Sequence, residues 1–277
     1  GRLCDSTDPL FGSCVVPPKE EDILTVSHAC TDKITIRAQS SISQATLDQS
    51  CADMALQETE FHAFFNTNGI PVTGDKNDTI EVIAFASPAD YEKYAPEFFG
   101  ISTDNGGMYL EGTPESDTNQ ARFIAMQCPD DWVGGSCQYI DQIYNLRHEF
   151  VHYLDGRYVK AGSYGSFDYN VSWSEGMAEY MANGNDHPRT LNTLKGKTIP
   201  PLYNLLFMAY GYDELYPWSY FAMRYLSEEH PTEIESLTSA LQAGDNAAYI
   251  EVIKGVAERT QNGFEAFVLA NSEAVAP

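Results

Sequence analysis

Five consecutive residues, His148-Glu149-Phe150-Val151-His152, have the types and the spacing to hold a metal ion and to hydrolyse an amide beside it. Residues four apart on an α-helix sit one above the other on one face. His148 and His152 can therefore aim two imidazoles at one ion. Glu149 is rotated by about 100° from His148, so its carboxylate is free to take a proton from water instead of ligating. Catalytic zinc takes three protein ligands and keeps one position for water. A third histidine at the spacing His-x-x-Gly-x-x-His is absent, since Tyr153-Leu154-Asp155-Gly156-Arg157-Tyr158 follows His152. A glutamate on a following helix can supply the third ligand. Trp173-Ser174-Glu175-Gly176-Met177-Ala178-Glu179-Tyr180 offers two, four residues apart and so on one face. We assign Glu175 as ligand, and Glu179 as the group that holds a ligating histidine by its other ring nitrogen. His28, His62, His187 and His230 have no partner at ligand spacing and read as surface or core-edge residues.

These residues need a helix to carry them and a lobe on each side of the metal. Periodicity predicts a helix over residues 139–155, with Ile140, Ile143, Leu146, Phe150, Val151 and Leu154 on its apolar side and Gly156 as its stop. The histidines then lie away from the packing stripe. Further helical periods cover residues 174–183, 202–210, 217–229, 232–242 and 246–259. Before the motif, residues 44–66 read as an amphipathic helix with Leu47, Cys51, Met54, Phe61 and Phe65 on one stripe. Residues 32–38 alternate as a strand, residues 79–86 read as a strand buried on both faces, and residues 107–111 as a further strand after the Asp104-Asn105-Gly106 turn signal. The stretch from there to residue 138, with Cys128 and Cys137, reads as loop-rich. The expected fold is α+β in a single peptidase domain over 1–277. It comprises a strand-containing N-terminal lobe (1–138), a mainly helical lobe (139–277) that begins with the metal helix, and a zinc cleft between them.

Composition narrows the partners. The 277 residues include forty acidic and sixteen basic side chains, for a net charge of -24. Such a surface repels nucleic acid and anionic membranes, so neither is expected as a partner. Six cysteines fall in three close pairs, Cys4 with Cys14, Cys30 with Cys51 and Cys128 with Cys137, and none has the spacing of a metal site. Nearest-neighbour disulfides and an oxidising compartment are expected, hence a secreted, extracellular protein. No apolar run is long enough to span a bilayer. A start at Gly1 reads as a piece of a longer precursor.

The run from His148 to Tyr158 resembles the zinc helix of bacterial collagenases, the Vibrio and clostridial type, in the gluzincin metallopeptidases. The likeness extends through residues 102–111, through Trp173-x-Glu175-Gly176-x-Ala178-Glu179-Tyr180, and into the aromatic segments around residues 202–211 and 216–225. It covers roughly residues 75–260, and the cysteine-rich N-terminus is more similar to the Vibrio branch. The resemblance implies a thermolysin-like fold, zinc on His148, His152 and Glu175, and Glu149 as the base. It implies that Gly106 and Gly107 sit on an edge strand where an extended substrate pairs through its main chain. It further implies Tyr210 as a stabiliser of the tetrahedral oxyanion, with Trp218 and Tyr164 as substrate-site aromatics. Tyr164 stands where clostridial members carry tryptophan. A structural calcium is implied at Glu111, with backbone carbonyls of the 158–162 loop, Gly162 included. The expected activity is zinc-dependent cleavage of collagen or gelatin chains, at Gly-Pro-X sequences, by a monomer. Two readings compete with it: a general thermolysin-like peptidase, and a non-catalytic collagen-binding module that keeps zinc as a staple.

Overall fold

Short β-branched and alternating segments build a five-stranded sheet in the computed structural model, which describes residues 16–132, 137 and 141–277. The strands are β1 (Val26–Ala29), β2 (Ile34–Ala38), β3 (Ile80–Phe85), β4 (Gly107–Leu110) and β5 (Ala121–Met126), in the order β1-β2-β3-β5-β4. β2, β3 and β5 run parallel, and β1 and β4 are antiparallel edge strands. β3 is buried on both faces as expected. Ile80, Val82 and Ala84 join the larger core, whereas Ile83 and Phe85 join a smaller one. β5 falls in the stretch read as loop. Ala121 and Arg122 are weak strand formers, and its stability comes from pairing with β3 on one side and β4 on the other.

Ten helices are described: α1 (Glu20–Ile23), α2 (Gln44–Phe65), α3 (Pro88–Phe99), α4 (Leu146–Tyr158), α5 (Val171–Asn183), α6 (Pro188–Leu194), α7 (Leu202–Leu206), α8 (Leu215–Glu229), α9 (Pro231–Ala243) and α10 (Asn246–Asn271). α2 is the expected helix, capped by Ser43, whose side chain accepts from the Thr46 amide. It lays Leu47, Met54, Phe61 and Phe65 on the larger core. α3 was not expected, although Ser87 caps it, Pro88 opens it and Gly100 closes it in the left-handed region. Pro96 inside it hides the helical pattern. Its residues Tyr91, Tyr94 and Ala95 cover the opposite face of the sheet.

The metal helix differs from its expected form in two ways. It starts at Leu146 rather than at 139. The segment before it extends the sheet instead: Tyr144 N–H donates to Met126 O at 2.9 Å, Cys128 N–H donates to Gln142 O at 2.7 Å, and Ile143 bridges Gln127. The chain then turns into α4 through Asn145, at φ 56°. Ile143 is thus buried by the sheet extension, not by a helical stripe, and Ile140 lies outside the described residues. α4 is also not amphipathic. His148, Glu149 and Asp155 are buried like Phe150 and Leu154, because α5 covers His148 and Asp155 and β4 stands against Glu149. α5 in turn lies close against α8: a Cβ on Gly176 would stand 2.3 Å from the Ser219 carbonyl oxygen, so only glycine permits this approach.

Disulfides join Cys30 to Cys51 and Cys128 to Cys137, as expected, and Cys4 with Cys14 lies outside the described residues. Cys30–Cys51 ties the end of β1 to α2. No described helix is long and apolar enough to cross a membrane.

Candidate active site

α4 and α5 bring the predicted ligands to one point. His148 Nε2 and His152 Nε2 are 3.1 Å apart. Glu175 Oε2 lies 3.1 Å from the first and 3.3 Å from the second. His148 Nδ1 is 2.9 Å from Glu179 Oε1, which places the ring proton there and turns the Nε2 lone pair toward Glu175. Buried lone pairs facing one another at these distances repel unless a cation sits among them. The surroundings favour one. Burial alone would lower the His148 pKa, but Glu175 and Glu179 outweigh it and hold the pKa well above its usual value. Burial likewise opposes charge on Glu175, and His152 and His148 hold that carboxyl well below its usual range. Two imidazole nitrogens and one carboxylate oxygen are a donor set that zinc accepts with a position to spare.

Glu149 points from the same helix toward β4. Burial raises its pKa above the ordinary range against the pull of His148 and His152. β4 closes the sheet at this side, so its outer backbone edge has no strand partner among the described residues. A Cβ on Gly107 would stand 3.4 Å from Glu149 Oε1 and 3.0 Å from Ile124 O. A Cβ on Gly106 would fall within the Tyr144 ring, at 1.9 Å. Both glycines are therefore required by close packing at the edge nearest the base.

Three half-exposed tyrosines surround the ligands. Tyr210 O–H donates to Glu175 Oε1 at 2.6 Å, and Tyr164 and Tyr210 share a hydrogen bond of 2.5 Å between their hydroxyls. Tyr210 lies beyond the end of α7, which stops at Leu206 instead of running to 210. Trp218 is 3% exposed and packed in the larger core. Tyr216, not singled out in the sequence, stands beside the ligands, with its ring centroid 6.1 Å from that of His148.

His187 is the second residue that sequence reasoning missed. It is buried, and its Nε2 bonds Glu179 Oε2. Glu179 thus sits between two histidines, which hold its pKa down to about 2 against burial. No spacing signals this pair, because α5 must end and the chain must turn before His187 returns to Glu179. Glu179→Ala is expected to weaken zinc binding about 10- to 100-fold, read by competition with a chromophoric chelator. Unchanged affinity would mean that Glu179 does not orient His148.

Glu111 is buried after β4, and its Oε2 has no hydrogen-bond partner. Burial pushes its pKa up to about 7, against the attraction of Lys160. Its Oε1 stands against α4, 2.5 Å from where a Cβ on Gly156 would lie.

An H-E-x-x-H helix, a glutamate from the next helix and a buried carboxylate beside an edge strand together match the class of metal-dependent peptidases. The chain belongs to the collagenase family, whose sequence profile, described as Collagenase, matches residues 14–267. It is 36% identical over 251 residues to the microbial collagenase of Vibrio alginolyticus, covering 88% of this chain and 30% of that protein. It is 34% identical over 244 residues to the microbial collagenase of Vibrio parahaemolyticus, covering 85% and 28%. Collagenase ColA of Clostridium perfringens is 27% identical over 197 residues, covering 65% and 16%. The chain thus spans less than a third of the length of these relatives.

Proposed function

We propose that this chain is the peptidase unit of a secreted zinc endopeptidase that cleaves collagen or gelatin chains at Gly-Pro-X sequences. The observation that carries the reading is the convergence of His148, His152 and Glu175 beside Glu149 and the open edge of β4. The two-lobed, thermolysin-like division into 1–138 and 139–277 within one domain, with the cleft between, belongs to the same proposal, as does a monomeric state.

His148, His152 and Glu175 would hold the zinc, which when bound would supply Lewis acidity for activating water and polarising the scissile carbonyl. The chain's own groups do the rest. Glu149, raised in pKa by burial, takes the proton of the attacking water and passes it to the departing amine. Glu179 and His187 keep the His148 ring in one orientation. β4 pairs with an extended substrate through its main chain, and Gly106 and Gly107 let that chain come close. Tyr210 leaves Glu175 and donates to the oxyanion. Tyr216 and Tyr164 wall the cleft.

The substrate class is tested by comparing a Gly-Pro-X peptide with casein. Faster cleavage of the collagen-like peptide is expected, and preference for casein would return the chain to the general peptidases. Calcium at Glu111 is proposed from its orphaned, buried oxygen and from hard oxygen donors nearby. Calcium at about a hundred times its Kd adds about 2.7 kcal/mol of stability, a rise in Tm of roughly 5 °C at this chain length. The rise is expected in the wild type and absent in Glu111→Gln. An equal rise in both would place calcium elsewhere.

A further inference from the structure

On the Glu179 side of His148 lies a cavity of about 750 Å³. Its walls come from the first turns of α2, the segment leading into α4, the end of α5 and the start of α6. His148 and Glu179 belong to it, so it shares a wall with the active site. Two of the sixteen basic residues of this acidic chain, Arg147 and Arg189, also line it.

The charges in this wall are unequally matched. Arg147 Nη2 lies 4.0 Å from Asp53 Oδ1. Glu179 is held by His148 and His187. Asp141 accepts from Gln127 Nε2 at 2.8 Å. Arg189 differs: among the described residues no carboxylate lies within ion-pair distance of it. Its Nη1 donates to the Tyr144 hydroxyl at 2.5 Å, and its guanidinium lies 5.9 Å over the same ring. The phenol oxygen takes one of five N–H donors. A net charge of -24 makes an unmatched arginine at such a place notable. Tyr144 also links it to the cleft, because that ring fills the space where a Gly106 side chain would stand. The edge strand, Tyr144, Arg189 and the cavity are thus one continuous contact.

We propose that this cavity is a carboxylate-selective subsite, in which Arg189, held by Tyr144, takes an acidic group of the chain being cleaved. A planar guanidinium with free forked donors matches a carboxylate in two parallel bonds. The acid is either an Asp or Glu side chain flanking the scissile bond or the free C-terminus of a short peptide. The subsite rests on the peptidase reading for its substrate, but not for its ligand chemistry.

The test uses fluorogenic collagen-like peptides in matched pairs. One set carries Asp or Asn at single positions on either side of the cleaved bond. The other ends in a free carboxylate or an amide. Wild type is expected to favour the acidic member of one set about tenfold in kcat/KM, mostly through KM, and the set that responds identifies the source of the carboxylate. Arg189→Gln removes the preference, Arg189→Lys restores part of it, and Arg189→Glu favours a Lys-bearing peptide. Tyr144→Phe, which releases the guanidinium, weakens the preference. Binding of dansylated versions to Glu149→Ala, followed by fluorescence anisotropy, reads the same pairs without hydrolysis. If wild type cleaves no peptide, the peptidase reading falls and the anisotropy still decides the subsite. Equal handling of acid and amide by wild type, or a preference unchanged in Arg189→Gln, overturns the proposal.

Discussion

Glu149→Ala is expected to lower kcat/KM on a collagen-like peptide by about a thousandfold or more while leaving about one zinc per chain. The carboxylate stands against Gly107 of β4 and is not one of the three groups whose ligand atoms converge. It therefore has the place of a proton carrier rather than of a ligand. Burial raises its pKa, which means that the folded chain holds this carboxylate at a cost. Its removal is expected to leave Tm near the wild-type value. Lost turnover with zinc and Tm retained then reports chemistry and not unfolding. Retained turnover would require another base. The reading of the chain as a collagen-binding module also makes a distinct prediction here, since binding and zinc content would be the only activities to follow.

Glu175→Ala is expected to have the largest effect on the metal. Glu175 Oε2 faces both histidine nitrogens, and Oε1 takes the Tyr210 proton. Alanine removes one of three ligands and leaves Tyr210 without its acceptor. Zinc after dialysis should fall from about one per chain toward zero, with peptide hydrolysis lost in parallel. Elemental analysis of the dialysed protein reads the first and a peptide assay the second. Full zinc and activity in the variant would move the third ligand to another carboxylate. Glu179 is placed poorly for that role, since its two oxygens are taken up by His148 and His187.

The parts of this site that were legible are those whose geometry is local. His148 with His152, and Glu175 with Glu179, are pairs four apart, and a helix alone sets their relative positions. β4 was legible from its turn residues and glycines. The same physics explains the misses. Trp218 and Tyr216 are two residues apart on α8, hence about 200° apart around it. Trp218 is buried in the core while Tyr216 stands beside His148, and which of the two does so depends on how α5 and α8 pack at Gly176. His187 and Arg189 acquire their partners only when α6 folds back on α5 and on the segment before α4. The 141–145 segment has helical periodicity, yet its backbone satisfies Met126 and Cys128 in the sheet extension. β5 is defined by its two neighbours more than by its own residues.

The most direct measurement is a zinc titration of the wild-type chain after chelation, followed by cleavage of a collagen-like peptide. No turnover is expected without metal, followed by a linear return of activity with added zinc and a plateau at about one equivalent. Turnover by the zinc-free chain, or no return of activity when one equivalent is bound, would contradict the zinc-dependent reading.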